Sequence, residues 1–116
     1  MEFRAKSYNV TCLVDEQVYT LYTCPETCRA RMVLLYVKNT GSTVTPTIEW
    51  DRDDGSHAHF LSGKNLGTGE FIQWADSYIV LEPGDTIIVS ADGTNPHVDV
   101  FCTVEEYFIP SRSIQS

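Results

Sequence analysis

The chain has 116 residues: 42% are hydrophobic, and 16 acidic against 8 basic residues give a formal charge of −8. That is the size of one ordinary domain, residues 1–116, with enough apolar material for a core that needs neither disulfides nor metal. The acidic balance excludes nucleic acid and an anionic membrane surface as expected partners, because both call for clustered Lys and Arg.

Residues 1–6 (MEFRAK) carry no pattern and read as a short arm. Tyr8, Val10, Cys12 and Val14 then alternate with Asn9, Thr11 and Leu13. Asp15-Glu16 interrupts the alternation and residues 17–23 (QVYTLYT) resume it, which predicts a hairpin. Cys24 to Cys28 is a loop. Residues 31–39 (RMVLLYVKN) are apolar on both parities between Met32 and Val37, so this strand is expected to be central or to cross between layers. Thr40-Gly41-Ser42 is a turn. The strand TPTIEWD follows, with Ile48 and Trp50 inward and Pro46 placing its start at an edge or bulge. Asp53-Asp54-Gly55 is a hairpin turn signal, and HAHFL is the return strand. Residues 62–69 (SGKNLGTG) form a glycine-rich loop, and FIQW is a short strand.

Two apolar runs, residues 78–81 and 86–91, flank Glu82-Pro83-Gly84-Asp85. Pro83 pre-sets φ for the second turn position and Gly84 accepts positive φ at the third. This stretch predicts strand, tight turn, strand, in antiparallel register. Asp92 to Pro96 is another turn. Val98, Val100, Cys102 and Val104 then alternate with Asp99, Thr103 and Glu105, leaving Phe101 as an apolar exception on the outer face. Residues 109–116 form a second arm. About eight to ten short strands with frequent turns and no helical period predict an all-β fold: an antiparallel, jelly-roll-like sandwich.

No stretch approaches the roughly 18 apolar residues of a membrane span. The first ten residues lack an apolar signal core, so the expected place of synthesis is a cytoplasm and the four cysteines are expected as thiols. Cys12 and Cys102 sit in alternating runs and read as core residues. Cys24 and Cys28 flank a Pro-Glu-Thr turn but lack the second ligand pair of a zinc site.

Candidate chemistry is sparse. His57 and His59 share a strand face, as two ligands of one metal would, and His97 is the only third histidine. The spacing fits the cupin pattern poorly, because Gly55 is too close and the glutamate position falls near Gly63-Lys64. Two solvent-facing histidines are the plainer reading. Residues 51–55 (DRDDG) resemble a calcium loop, but Gly55 falls where a third alternate ligand belongs, and a hairpin turn accounts for them. Lys64 lies in a loop without a P-loop ending. No nucleophile–base signature occurs, so no catalytic, cofactor or metal residue is assigned and no enzyme is expected. Trp50, Trp74, Tyr19, Tyr22, Tyr36 and Tyr78 are expected mostly in the core, although an exposed row of them would make a sugar-stacking platform. Tyr107, Phe108 and Ile109 are expected to follow the last strand, next to the tail. They either cap the sandwich or dock on a neighbouring subunit.

With strands placed, the motifs YTCP (22–25), ARMVLLYVKN (30–39), TIEWD (47–51) and YIVLEPGD (78–85) together resemble small β-sandwich virion proteins of tailed bacteriophages. The Cys24–Cys28 loop departs from that pattern. The resemblance implies a homo-oligomeric, non-enzymatic structural protein of the virion, made in the host cytoplasm. It would decorate or cement the capsid or belong to the neck (portal) or tail, and would contact other virion proteins. Phe3 in the first arm and Tyr107, Phe108 and Ile109 at the second are then the expected partner-binding residues. A carbohydrate-binding module of a host-adsorption device is the alternative expectation, and a cupin-like metalloprotein a more distant one.

Overall fold

The computed structural model describes residues 3–75 and 79–109. Nine strands occur in this part: β1 (Phe3–Cys12), β2 (Tyr19–Thr23), β3 (Cys28–Asn39), β4 (Thr45–Asp51), β5 (His57–Leu61), β6 (Phe71–Trp74), β7 (Ile79–Leu81), β8 (Thr86–Asp92) and β9 (Val98–Phe108). They form two antiparallel sheets. One has the order β1-β9-β3-β6, with β7 also paired to β3, and the other has the order β2-β8-β4-β5. Taking β6 and β7 as one interrupted strand, this is the eight-strand order of a jelly roll.

The sheets close on each other through one parity of each strand. Val98, Val100, Cys102 and Val104 of β9 meet Ile48 of β4 and Ile87, Val89 and Ala91 of β8 in a single buried cluster. β3 is central, as its two-sided apolar run predicts. It pairs with β9 along its whole length and with β7 and then β6 on its other side. A bulge between Met32 and Leu34 leaves Val33 as the extra residue there. Pro46 sits where β4 has a partner only on the β8 side, since pairing with β5 starts at Ile48. A missing N–H is tolerated at such a place. The β4–β5 hairpin forms around Asp53-Asp54-Gly55 as expected, with Gly55 at φ 93°.

Two expected hairpins are not hairpins. β1 pairs with β9 whereas β2 pairs with β8, so the Asp15-Glu16 turn carries the chain from one sheet to the other. The Pro83-Gly84 turn likewise links β7 in the five-stranded sheet to β8 in the four-stranded sheet. Turn chemistry specifies a reversal of direction. It does not specify that the two arms pair, and burying both apolar faces requires them to part. Residues 3–6, read as an arm, are paired with β9 from Phe3 to Lys6. Tyr78 and residues 110–116 of the second arm lie outside the described residues.

Three buried polar side chains fix the irregular parts. Asp85 Oδ1 accepts the Asp53 N–H, and Oδ2 accepts the Glu82 N–H and the Trp50 indole N–H at 3.0–3.1 Å. One carboxylate thus ties the sheet-crossing turn to the β4–β5 loop. Gly84 beside it has φ 87°, and a Cβ there would stand 2.6 Å from Asp53 Oδ1. Asn39 donates to Ser42 O and Leu66 O and accepts from Gly41 N, pinning the glycine-rich loop whose Leu66 enters the core. Glu106 accepts from Arg4 Nε at 2.7 Å and from the Tyr22 hydroxyl at 2.6 Å. Each is a buried polar group with partners, which is what makes its burial tolerable.

Candidate assembly face

Strand parity and register decide what each sheet shows to the outside. On the five-stranded sheet the outward residues are Asp99, Phe101, Thr103, Glu105 and Tyr107 of β9. Their partners are Thr11, Asn9, Ser7, Ala5 and Phe3 on β1, and Lys38, Tyr36, Leu34, Arg31 and Arg29 on β3. Across from Tyr36 and Lys38 lie Gln73 and Phe71 of β6, and across from Arg31 lies Val80 of β7. Two aromatic groups result. Tyr36 stands between Phe71 and Phe101, with ring centroids at 5.5 and 6.1 Å. Phe3 stacks on Tyr107 at 5.2 Å, and the Arg31 guanidinium lies 5.8 Å over the Tyr107 ring. Phe71 is 58% exposed, Phe3 51% and Phe101 41%. Monomeric proteins rarely leave aromatic side chains grouped in solvent this way.

Two arginines on this face are paired with carboxylates. Arg31 donates from Nε to Glu105 at 3.0 Å and Arg29 to Glu82 at 3.0 Å. The Arg31 hydrogen bond holds the Glu105 carboxyl below the ordinary range, and the Tyr107 hydroxyl adds to it. Paired charges beside apolar rings cost less to cover than lone ones do.

Of the residues expected at the termini, Phe3 and Tyr107 are direct cross-strand partners on this outer face. Phe108 projects at the sandwich end, where it is 47% exposed, with the Arg4 guanidinium 5.1 Å over its ring. The Arg4–Glu106–Tyr22 network links β1, β9 and β2 there. Burial would raise the Glu106 carboxyl, but the hydrogen bonds from Tyr22 and Arg4 outweigh it and hold Glu106 below its usual value. Tyr22 is pushed far up by burial and by its bond to Glu106. Ile109 is partly buried and its N–H donates to Thr27 O at 2.9 Å. Phe101 stands out in its own stretch of sequence, whereas nothing local marks Phe71 and Tyr36 as its neighbours. Only register brings those three together, since they lie on three different strands.

The remaining candidates fall elsewhere. His57 and His59 are exposed on the outer face of the four-stranded sheet. His97 is at the opposite end of the sandwich, where Thr40 Oγ1 meets its Nδ1 at 2.8 Å, so the three histidines do not converge. All four cysteines are buried and unpaired, and Cys24 Sγ donates to Cys28 O. Burial pushes the Cys12 and Cys24 thiols up to about 11 and Cys102 to about 12, which keeps them protonated and unreactive at neutral pH. Trp50 lies on the inward parity, where it stacks with Phe60, and Phe60 meets Trp74 edge-on; all three rings pack against the core. A sugar platform needs coplanar exposed rings, but Tyr36 is tilted 34° to Phe71 and 46° to Phe101.

No family model matches the chain, and no curated protein is significantly similar to it in sequence. Among solved structures, it is similar to a chain of the acid-stable capsid of the Helicobacter pylori bacteriophage KHP30. That match has TM-score 0.57 and 12% identity, and covers 95% of this chain and 94% of that one. A chain of the cyanophage Pam1 capsid asymmetric unit matches with TM-score 0.51 and 12% identity, covering 92% and 85%. A subunit of the disulfide-linked pili that form Bacillus endospore appendages matches with TM-score 0.51 and 16% identity, covering 92% and 88%. The chain therefore has a jelly-roll-like β-sandwich fold that also occurs in subunits of capsids and of surface fibres.

Proposed function

We propose that this protein is a non-enzymatic structural subunit of a virion that docks through the outer face of its five-stranded sheet. The grouping of Phe3, Tyr36, Phe71, Phe101 and Tyr107 on that face carries the reading. The whole-chain likeness to two phage capsid chains supports it. The finer assignment is a bacteriophage decoration (cement), neck or tail protein. It would form homo-oligomers, contact other virion proteins and be made in the host cytoplasm. The sequence motifs support this assignment, and so does a net charge of −8, which suits protein surfaces better than nucleic acid.

Burying such a face uses apolar area for affinity and the Arg31–Glu105 and Arg29–Glu82 pairs for register. The test is the solution mass of the purified chain by light scattering, alone and with its virion partners. The expected result is an oligomer or a partner complex that Phe71→Asp with Phe101→Asp disperses to folded monomers. A monomer that binds no virion protein would overturn the proposal.

A further inference from the structure

We propose that Glu49, Asp51 and His57 form a surface site for a divalent transition-metal cation of the zinc class, with His59 holding Glu49 in position. The four residues form a square on the outer face of the four-stranded sheet. Glu49 and Asp51 are two apart on β4, His57 and His59 two apart on β5, and the register pairs Glu49 with His59 and Asp51 with His57. Strand periodicity places all four on one face. Ligand atoms of Glu49, Asp51 and His57 already lie within 4.8 Å of one another. A tetrahedral zinc with N and O ligands at about 2.0–2.1 Å sets them about 3.3 Å apart, so side-chain rotation suffices to close the site.

A second observation points to a cation. Asp51 Oδ1 is shielded from solvent and meets no hydrogen-bond donor, and an orphaned carboxylate oxygen of this kind is costly. A metal ion would supply the missing positive partner. His59 Nε2 meets Glu49 Oε1 at 3.1 Å. This is the outer contact by which an imidazole fixes the orientation of a ligating carboxylate. One imidazole with two carboxylates favours zinc and its neighbours over calcium or magnesium, which take oxygen ligands throughout. The site differs in place from a cupin centre, because its residues face away from the core.

The buried thiols do not compete while the protein is folded. Titration of the folded protein with Zn²⁺ by calorimetry is expected to show saturable binding of one ion per chain. His57→Ala and Asp51→Asn should each weaken it at least tenfold, and His59→Ala about tenfold. Asp15→Asn, in the acidic group at the other end of the sandwich, should leave it unchanged. Co²⁺ should give a d–d spectrum without a thiolate charge-transfer band. Circular dichroism of each metal-free variant checks that it is folded. The proposal is overturned by any of three results: no saturable Zn²⁺ binding, binding unaffected by folded His57→Ala, or a thiolate band with Co²⁺. Displacement of Zn²⁺ by equimolar Ca²⁺ would overturn the assignment to the zinc class.

Discussion

The two outer faces of the sandwich differ in kind. The five-stranded sheet shows Phe3, Leu34, Tyr36, Phe71, Val80, Phe101 and Tyr107, with the Arg31–Glu105 and Arg29–Glu82 pairs among them. On the four-stranded sheet the outward residues are Thr45, Thr47, Glu49 and Asp51 of β4, Thr86, Ile88 and Ser90 of β8, and His57 and His59 of β5. Both sheets bury the same apolar type on their inner side, so folding does not require the difference. A sheet that only had to stay wet would be threonine- and charge-rich on its outside, as the four-stranded sheet is. That difference is the observation on which the proposed docking through the aromatic face rests.

The comparison holds only if face and framework can be separated, and the largest expected effect tests that. Asp85→Ala leaves the N–H groups of Asp53, Glu82 and Trp50 without their acceptor. It should cost about 3 kcal/mol or more, seen as a large drop in thermal midpoint, with assembly lost as a consequence. Phe71→Asp with Phe101→Asp should do the opposite. Assembly goes while the thermal midpoint of the monomer stays within a few degrees, since both side chains are already exposed. Thr47→Asp, the matching change on the other face, should alter neither. If it disrupted assembly as strongly, the assignment of faces would be wrong.

A smaller effect belongs to the closed end. Tyr22→Phe removes one donor from buried Glu106 and should cost about 1–3 kcal/mol by denaturant unfolding. The carboxylates of the two faces should also titrate in opposite senses. Glu106, and Glu105 on the outer face, are held low, so their contribution is present above the unfolded value near 4.5 and is lost as pH falls through their folded values. Glu49 is raised by its contact with the Asp51 carboxyl, and burial adds to this, although His57 and His59 act against it. Its contribution is present below about pH 4.5 and is lost as pH rises through the folded value. Unfolding curves between pH 3 and 7 should therefore lose part of their acid slope in Glu106→Gln and steepen slightly in Glu49→Gln.

Strands and their inner faces were legible in the sequence, because a period of two reports which side is buried. Val98, Val100, Cys102 and Val104 gave the last strand and its inward face without ambiguity. Pairing was not legible. The Asp15-Glu16 and Pro83-Gly84 turns looked like hairpin turns, yet each separates strands of different sheets. The motif around Asp85 was readable as architecture, but nothing in the chain order shows that this acid is buried with three donors. The assembly face was legible only in part. Phe101 stood out against its own strand, and Phe3 and Tyr107 lay near the termini, but Tyr36 and Phe71 join Phe101 through registers that no single stretch encodes. The same holds for Glu49 and Asp51 beside the two histidines: the HxH pair is visible in one stretch, and the carboxylates come from the neighbouring strand.

Hydroxyl-radical footprinting of the assembled and the dispersed protein shows which face is covered. Reactive rings lie on both faces: Tyr36, Phe71, Phe101 and Tyr107 on one, His57 and His59 on the other. Assembly is expected to protect the first group and to leave the two histidines as reactive as before. Protection of His57 and His59 with Phe71 and Phe101 unchanged would contradict it.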